Sequence, residues 1–207
     1  MATSPQTEAV VPTAPSTRAR LLTAAYDLLV RDGYQATTVQ AVARRAGMTT
    51  GAIYANFANK QELMALAVLD NWNTLQERQW ADLVGSGGAT ANPLSLLTYV
   101  ARLLAEPGGP EHRALTEVTG AVLRDPEPSP LLTGLNMFEQ LLRIAVEQGK
   151  VEGIFDDRYS TDGIVAVLRA VYLGAITSKS WGMEQPDADE ISTILQALAS
   201  GLAPPQR

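Results

Sequence analysis

Few side chains in this 207-residue chain are equipped for covalent chemistry. There is no cysteine, so no disulfide, thiolate nucleophile or thiolate metal site is possible. His112 is the only histidine, which excludes a histidine-based metal cluster within one chain. No metal and no cofactor is therefore expected. The carboxylate pairs to consider are Asp156–Asp157 and Glu147 with Glu152. They sit around glycine breaks and come without a nucleophile or a ligand set. What remains is recognition chemistry. Thr49, Thr50, Gly51, Ala52, Ala55 and Asn56 form a run of small or polar residues with little charge. Such a surface can lie close to base edges and phosphates.

The elements that must position this run are short helices. Thr37 with Gln40 reads as a capping box opening a helix at Thr38. Val39, Val42 and Ala43 give that helix an apolar face. Gly47 stops it, because glycine adopts the left-handed backbone most readily. Thr49 reads as the next N-cap. Ile53, Tyr54 and Phe57 then line one side of a second helix. Asn59 with Glu62 opens a third. Two short helices joined by a tight glycine turn have the geometry of a helix-turn-helix. An ordinary αα-corner would give the same spacing.

The stretch from Ser16 to about Asn73 resembles the N-terminal domain of the TetR family of transcriptional regulators. The matching pieces are TRARLLTAAYDLLVRDGYQATT, VQAVARRAGMTTGAIYANF and NKQELMALAV, in family order. Ala43, Gly47 and Ile53 at their spacing, Tyr54 with Phe57, and Lys60 three residues later form the specific combination. The resemblance implies phosphate contacts at Thr37 or Thr38, Thr49, Tyr54 and Lys60. Hydroxyls at helix N-termini suit an anion. It also implies base contacts from Thr50, Gly51, Ala52 and Ala55, with Asn56 donating to phosphate. The chain departs from the family pattern at three positions. Thr50 stands where Lys or Arg is frequent, Ala52 where Thr or Ser is frequent, and Asn56 where histidine is frequent. Arg44 and Arg45 are candidates for part of the lost readout; Arg18 and Arg20 are further candidates for phosphate, or solvated surface.

The expected architecture is all-α. Residues 1–15 form a proline-rich disordered tail, 16–62 the helix-turn-helix domain, and 63–207 a larger helical effector-binding and dimerisation domain. Formal net charge is −6, but residues 1–64 carry six Lys/Arg against four Asp/Glu. A weakly basic end on an acidic body turns that end toward DNA. Thr17–Asp32 reads as an amphipathic helix ended by Gly33. Lys60 to about Val84 reads as a long helix shared by both domains. Leu94–Glu106, Glu111–Arg124, Pro130–Glu147, Tyr159–Ser180 and a last helix capped by Asp187 follow. No apolar run approaches membrane-spanning length, and Met1–Pro15 lacks the pattern of a secretory signal. A cytoplasmic protein without a membrane partner is expected.

The Tyr159–Ser180 helix is apolar almost all round, and the last helix carries Ile191, Ile194, Leu195, Leu198 and Leu202 as a stripe. Such a pair needs a packed partner. The resemblance implies a homodimer through these last two helices; an intramolecular core is the alternative. It also implies a double-stranded DNA operator and a small, largely apolar effector. Candidate lining residues are Trp72, Tyr99, Met137, Phe138 and Tyr172, each of which could equally be core. Glu117 is a possible buried carboxylate or a solvated one, and His112 is expected at the surface. A ligand-responsive repressor is the leading reading. A helical adaptor module without DNA binding and a carboxylate-based enzyme are the alternatives.

Overall fold

The computed structural model describes residues 15–85, 101, 104–105, 108–124 and 129–204. Every regular element among them is a helix: α1 (Thr17–Ala36), α2 (Val39–Ala46), α3 (Thr50–Tyr54), α4 (Lys60–Gly85), α5 (Pro110–Arg124), α6 (Pro130–Val151), α7 (Thr161–Ser180) and α8 (Ala188–Gly201). The fold is all-α, as expected. The proposed tail and most of the Leu94–Glu106 stretch lie outside the described residues; positions 101, 104 and 105 are helical.

Local chemistry sets the helix ends. Ser16 caps α1 by accepting from the Ala19 N–H at 3.1 Å. The helical path of α1 breaks at Gly33, whose φ of 83° is left-handed. Thr38, not Thr37, caps α2 by accepting from the Ala41 N–H at 3.1 Å. Thr37 instead closes α1: its N–H and its hydroxyl both donate to the Gly33 carbonyl. At the end of α2, Gly47 has φ 66°, and the Met48 N–H donates to the Ala43 carbonyl at 2.9 Å. The left-handed residue plus this back-bond stop the helix within two residues. Asn59 accepts from the Glu62 N–H at 2.8 Å, and the Glu62 carboxylate returns to the Ala58 N–H at 2.5 Å.

One apolar core runs through the first half of the molecule. It joins Leu21, Leu29, Val42, Ile53, Phe57 and Leu63 to Leu115, Val118 and Leu131 of α5 and α6, and to Tyr172 and Ile176 of α7. A smaller cluster of Leu142, Val146, Phe155, Ile164 and Val165 lies farther along α6 and α7. α4, at 26 residues and ~39 Å, gives Leu63, Met64 and Val68 to the larger core.

Three expectations need correction. α6 does not end near Gly149 but continues to Val151, and the chain turns at Gly153. The buried Gly149 carbonyl accepts from Ile154 and Phe155, so this glycine anchors the turn rather than ending the helix. α7, expected from Tyr159 and buried on both sides, begins at Thr161 after a Ser160 cap and leaves Val167 64% exposed. Its 20 residues, with mean hydropathy 1.2, also reach the length and apolarity at which a helix can cross a bilayer. A core helix passes the same test, and α7 packs against α5 and α6 while carrying Asp162, Arg169 and Lys179.

Candidate nucleic-acid interface

The helix-turn-helix is stitched from behind by α1. The Arg18 guanidinium lies 4.7 Å from the Phe57 ring centre and donates to the Asn56 carbonyl at 3.2 Å. Arg20 donates to the Ala46 carbonyl at 2.8 Å, beside the Gly47 turn. Both arginines, candidates for phosphate in the sequence, thus tie α1 to the ends of α2 and α3. Arg45 pairs with Asp27, also on α1. Arg44 is exposed and, with Arg31, Asp32, Thr38 and Arg45, lines an open groove of about 500 Å3 between α1 and α2.

On α3 the face opposite the core is open. Ile53 and Phe57 are buried, while Thr49, Gly51, Tyr54 and Ala55 are exposed and Thr50, Ala52 and Asn56 are half-buried. The Thr49 hydroxyl caps α3 by accepting from the Ala52 N–H at 3.3 Å. Asn56 donates its amide to the Ala52 carbonyl at 2.8 Å, so in the unbound protein it extends the α3 cap. Tyr54 is 59% exposed. Of the two threonines before α2, only Thr38 faces solvent. Thr37 is 1% exposed and its hydroxyl is committed to Gly33, which removes it as a phosphate contact.

Lys60 stands at the start of α4, half-buried. Its ammonium donates to the Tyr34 carbonyl at 2.7 Å and lies 4.5 Å from the Tyr34 ring centre. Burial lowers its pKa from the ordinary lysine value, because desolvation penalises the charged form.

The second candidate region is in the body. Trp72 and Tyr172, named separately in the sequence, are brought together: the indole N–H donates to the Tyr172 hydroxyl at 2.9 Å. Burial pushes the Tyr172 hydroxyl pKa above the usual phenol range. Tyr99 and the side chains of Met137 and Phe138 lie outside the described residues. His112, expected at the surface, is 5% exposed and meets the Trp72 ring edge-on, with centres 5.6 Å apart. Its spacing from Leu115, Val118 and Val122 on the apolar stripe of α5 was the available signal. Glu117 is half-buried. Its carboxylate reaches α1 and accepts from the Tyr34 N–H at 2.6 Å. The acidic pairs are engaged in local structure: Asp156 accepts from the Arg158 N–H, and Glu147 and Glu152 accept from Thr161 and Gln148. No group of acidic and histidine side chains placed to hold a metal occurs among the described residues.

Residues 21–67 match the model for bacterial regulatory proteins of the tetR family, over the same α1–α4 segment that builds this interface. In these residues the chain is similar to the TetR family. Beyond that segment the likenesses are more distant. The uncharacterized HTH-type transcriptional regulator YvkB of Bacillus subtilis (strain 168) is 46% identical over 48 residues, 23% of this chain and 25% of that protein. The HTH-type transcriptional repressor KstR of Rhodococcus jostii (strain RHA1) is 26% identical over 189 residues, 86% of this chain and 79% of that one. The fold as a whole is similar to Salmonella enterica GusR, with TM-score 0.67 at 19% identity over 90% of this chain and 95% of that one. The matched segment is that of a DNA-binding transcriptional regulator, and the α2–α3 unit within it is the candidate interface.

Proposed function

We propose that the chain is a transcriptional repressor that binds a roughly palindromic operator as a homodimer and leaves it when a small, largely apolar molecule binds. The observation that carries this reading is the open face of α3: Thr49, Thr50, Gly51, Ala52, Tyr54, Ala55 and Asn56 present small and polar groups above a core-anchored Ile53. Thr38 and Lys60 flank that face with a hydroxyl and an ammonium for the phosphate backbone. The repressor KstR, similar along most of its length, supports the sign of regulation. Residues 16–62 form the DNA-binding domain and 63–207 the effector and dimerisation domain, with α4 crossing between them. The exposed Val167, Leu173, Ile194 and Leu198 on α7 and α8 supply the dimer surface. The effector lies near Trp72 and Tyr172, with Tyr99, Met137 and Phe138 as further contacts. Such a protein works in the cytoplasm, where its operator is.

The test is selection of duplexes from a random-sequence pool by the purified protein. Enrichment of an inverted repeat with half-sites ~34–36 Å apart, or a multiple, is the expected result. Analytical ultracentrifugation should show a dimer at micromolar concentration. An unenriched pool would leave the adaptor-module reading in place, and a monomer would remove the palindrome argument.

A further inference from the structure

α5 sends the Glu117 side chain to the corner of the DNA-binding unit. The corner runs from Gly33 to Thr38, where α1 breaks and α2 is capped. Its peptide groups are held from three directions. The Gly33 carbonyl is taken by the Thr37 hydroxyl at 2.7 Å. The Tyr34 N–H is taken by the Glu117 carboxylate at 2.6 Å, across 83 residues of sequence. The Tyr34 carbonyl takes the Lys60 ammonium at 2.7 Å, with the Tyr34 ring 4.5 Å below it. Glu117 also packs on Gly33, where a Cβ would come within 3.0 Å of its carboxylate oxygen. The φ of 83° favours glycine there, and a Cβ would in addition push the Glu117 carboxylate by a few tenths of an ångström.

We propose that Glu117 is a positioning residue for operator binding. From α5 it fixes the Gly33–Tyr34 peptide by its N–H, and the next peptide unit, across the Tyr34 Cα, presents the carbonyl that holds Lys60 at the DNA face. The inference rests on the operator-binding reading. A lysine side chain loses rotamer entropy when it is ordered on a phosphate. A carbonyl and a ring that hold it beforehand reduce that loss on binding. A carboxylate accepting a backbone N–H is a strong, geometrically defined anchor. Because Glu117 belongs to the body, a shift of α5 would release Tyr34 and slacken Lys60 without unfolding α2 or α3.

The experiment uses the full chain and a duplex enriched by the wild-type protein from a random pool, with affinity read by fluorescence anisotropy across salt concentrations. Glu117→Ala should bind about tenfold more weakly, the scale of one lost charge-assisted hydrogen bond. Glu117→Asp keeps the charge but is one methylene short, and should behave like the alanine variant. Glu117→Gln keeps an acceptor oxygen and should stay within about threefold of wild type. In a Lys60→Ala background, Glu117→Ala should cost less than about twofold, because the two act as one unit. Equal losses in both backgrounds would show a merely structural role and overturn the proposal. So would unchanged affinity in Glu117→Asp or Glu117→Ala with the protein folded. Amide exchange at Tyr34, slow in wild type and faster in Glu117→Ala, reads the contact without DNA. If no duplex is enriched while that exchange difference holds, it is the operator-binding reading that fails.

Discussion

At Gly51 a methyl group would meet only the Thr49 hydroxyl oxygen at 3.6 Å, an ordinary contact. The fold therefore does not require glycine there, and helix propensity argues against it. Gly51→Ala should raise stability by about 0.5–1 kcal/mol while weakening operator binding, if DNA backbone or bases approach this point. Thermal melting and anisotropy on one sample check both signs, and unchanged affinity would take Gly51 off the contact surface. A second residue-scale expectation concerns alkaline pH. Burial and neighbouring carboxylates raise the Tyr26 pKa from 10.0 to about 12, and burial raises that of Tyr172 further. The folded state then holds these protons after the unfolded chain has lost them. Their contribution to stability is complete below pH 10 and declines as pH rises above it. Tyr26→Phe should flatten that decline in chemical unfolding measured from about pH 9 to about pH 11. The two threonines before α2 show how far sequence reaches at this scale. Adjacent hydroxyls are alike in a sequence. Only the Gly33 kink, a backbone event four residues upstream, decides that Thr37 turns inward and Thr38 outward.

Helices were legible where their signals are local. The Thr49 cap, the Gly47 turn and the Asn59–Glu62 pair all depend on groups within four residues. The apolar stripe of α5 likewise carried the burial of His112, though the residue type disguised it. Contacts between helices were not legible: nothing within α5 announces that Glu117 meets Tyr34 rather than water. α7 and α8 leave large apolar side chains in solvent, among them Val167 and Leu198 at 64% and 63% exposed. Leu198→Glu should leave the folded protomer within about 0.5 kcal/mol of wild type, since the side chain already faces solvent. At a dimer interface the same carboxylate would be buried without a partner, which is costly. Sedimentation should shift to the monomer and operator affinity should fall. A dimer unaffected by Leu198→Glu would place the interface elsewhere.

Across the whole molecule, the core that joins Ile53 and Phe57 to Val118 and Tyr172 leaves no soft boundary between the DNA-binding helices and the body. On the proposed reading, α4 and Glu117 are the routes by which a change in the body reaches the DNA-binding helices. A small molecule that binds the DNA-incompetent arrangement better by ~1–3 kcal/mol would lower operator affinity about 5- to 150-fold. Thermal-shift screening followed by anisotropy at the same concentrations checks this; stabilising molecules that never change operator affinity would contradict it. The Trp72 site also has an optical consequence. Its indole is half-buried, hydrogen-bonded to a phenol and edge-on to an imidazole, whereas Trp181 is 73% exposed. The first should emit toward the blue and respond to any molecule that separates it from Tyr172 or His112. The second should emit near the wavelength of indole in water and stay constant. In a Trp80→Phe background, which leaves these two as the chain's tryptophans, Trp72→Phe should remove the responsive component, so the protein carries its own fluorescent gauge of what happens in its interior.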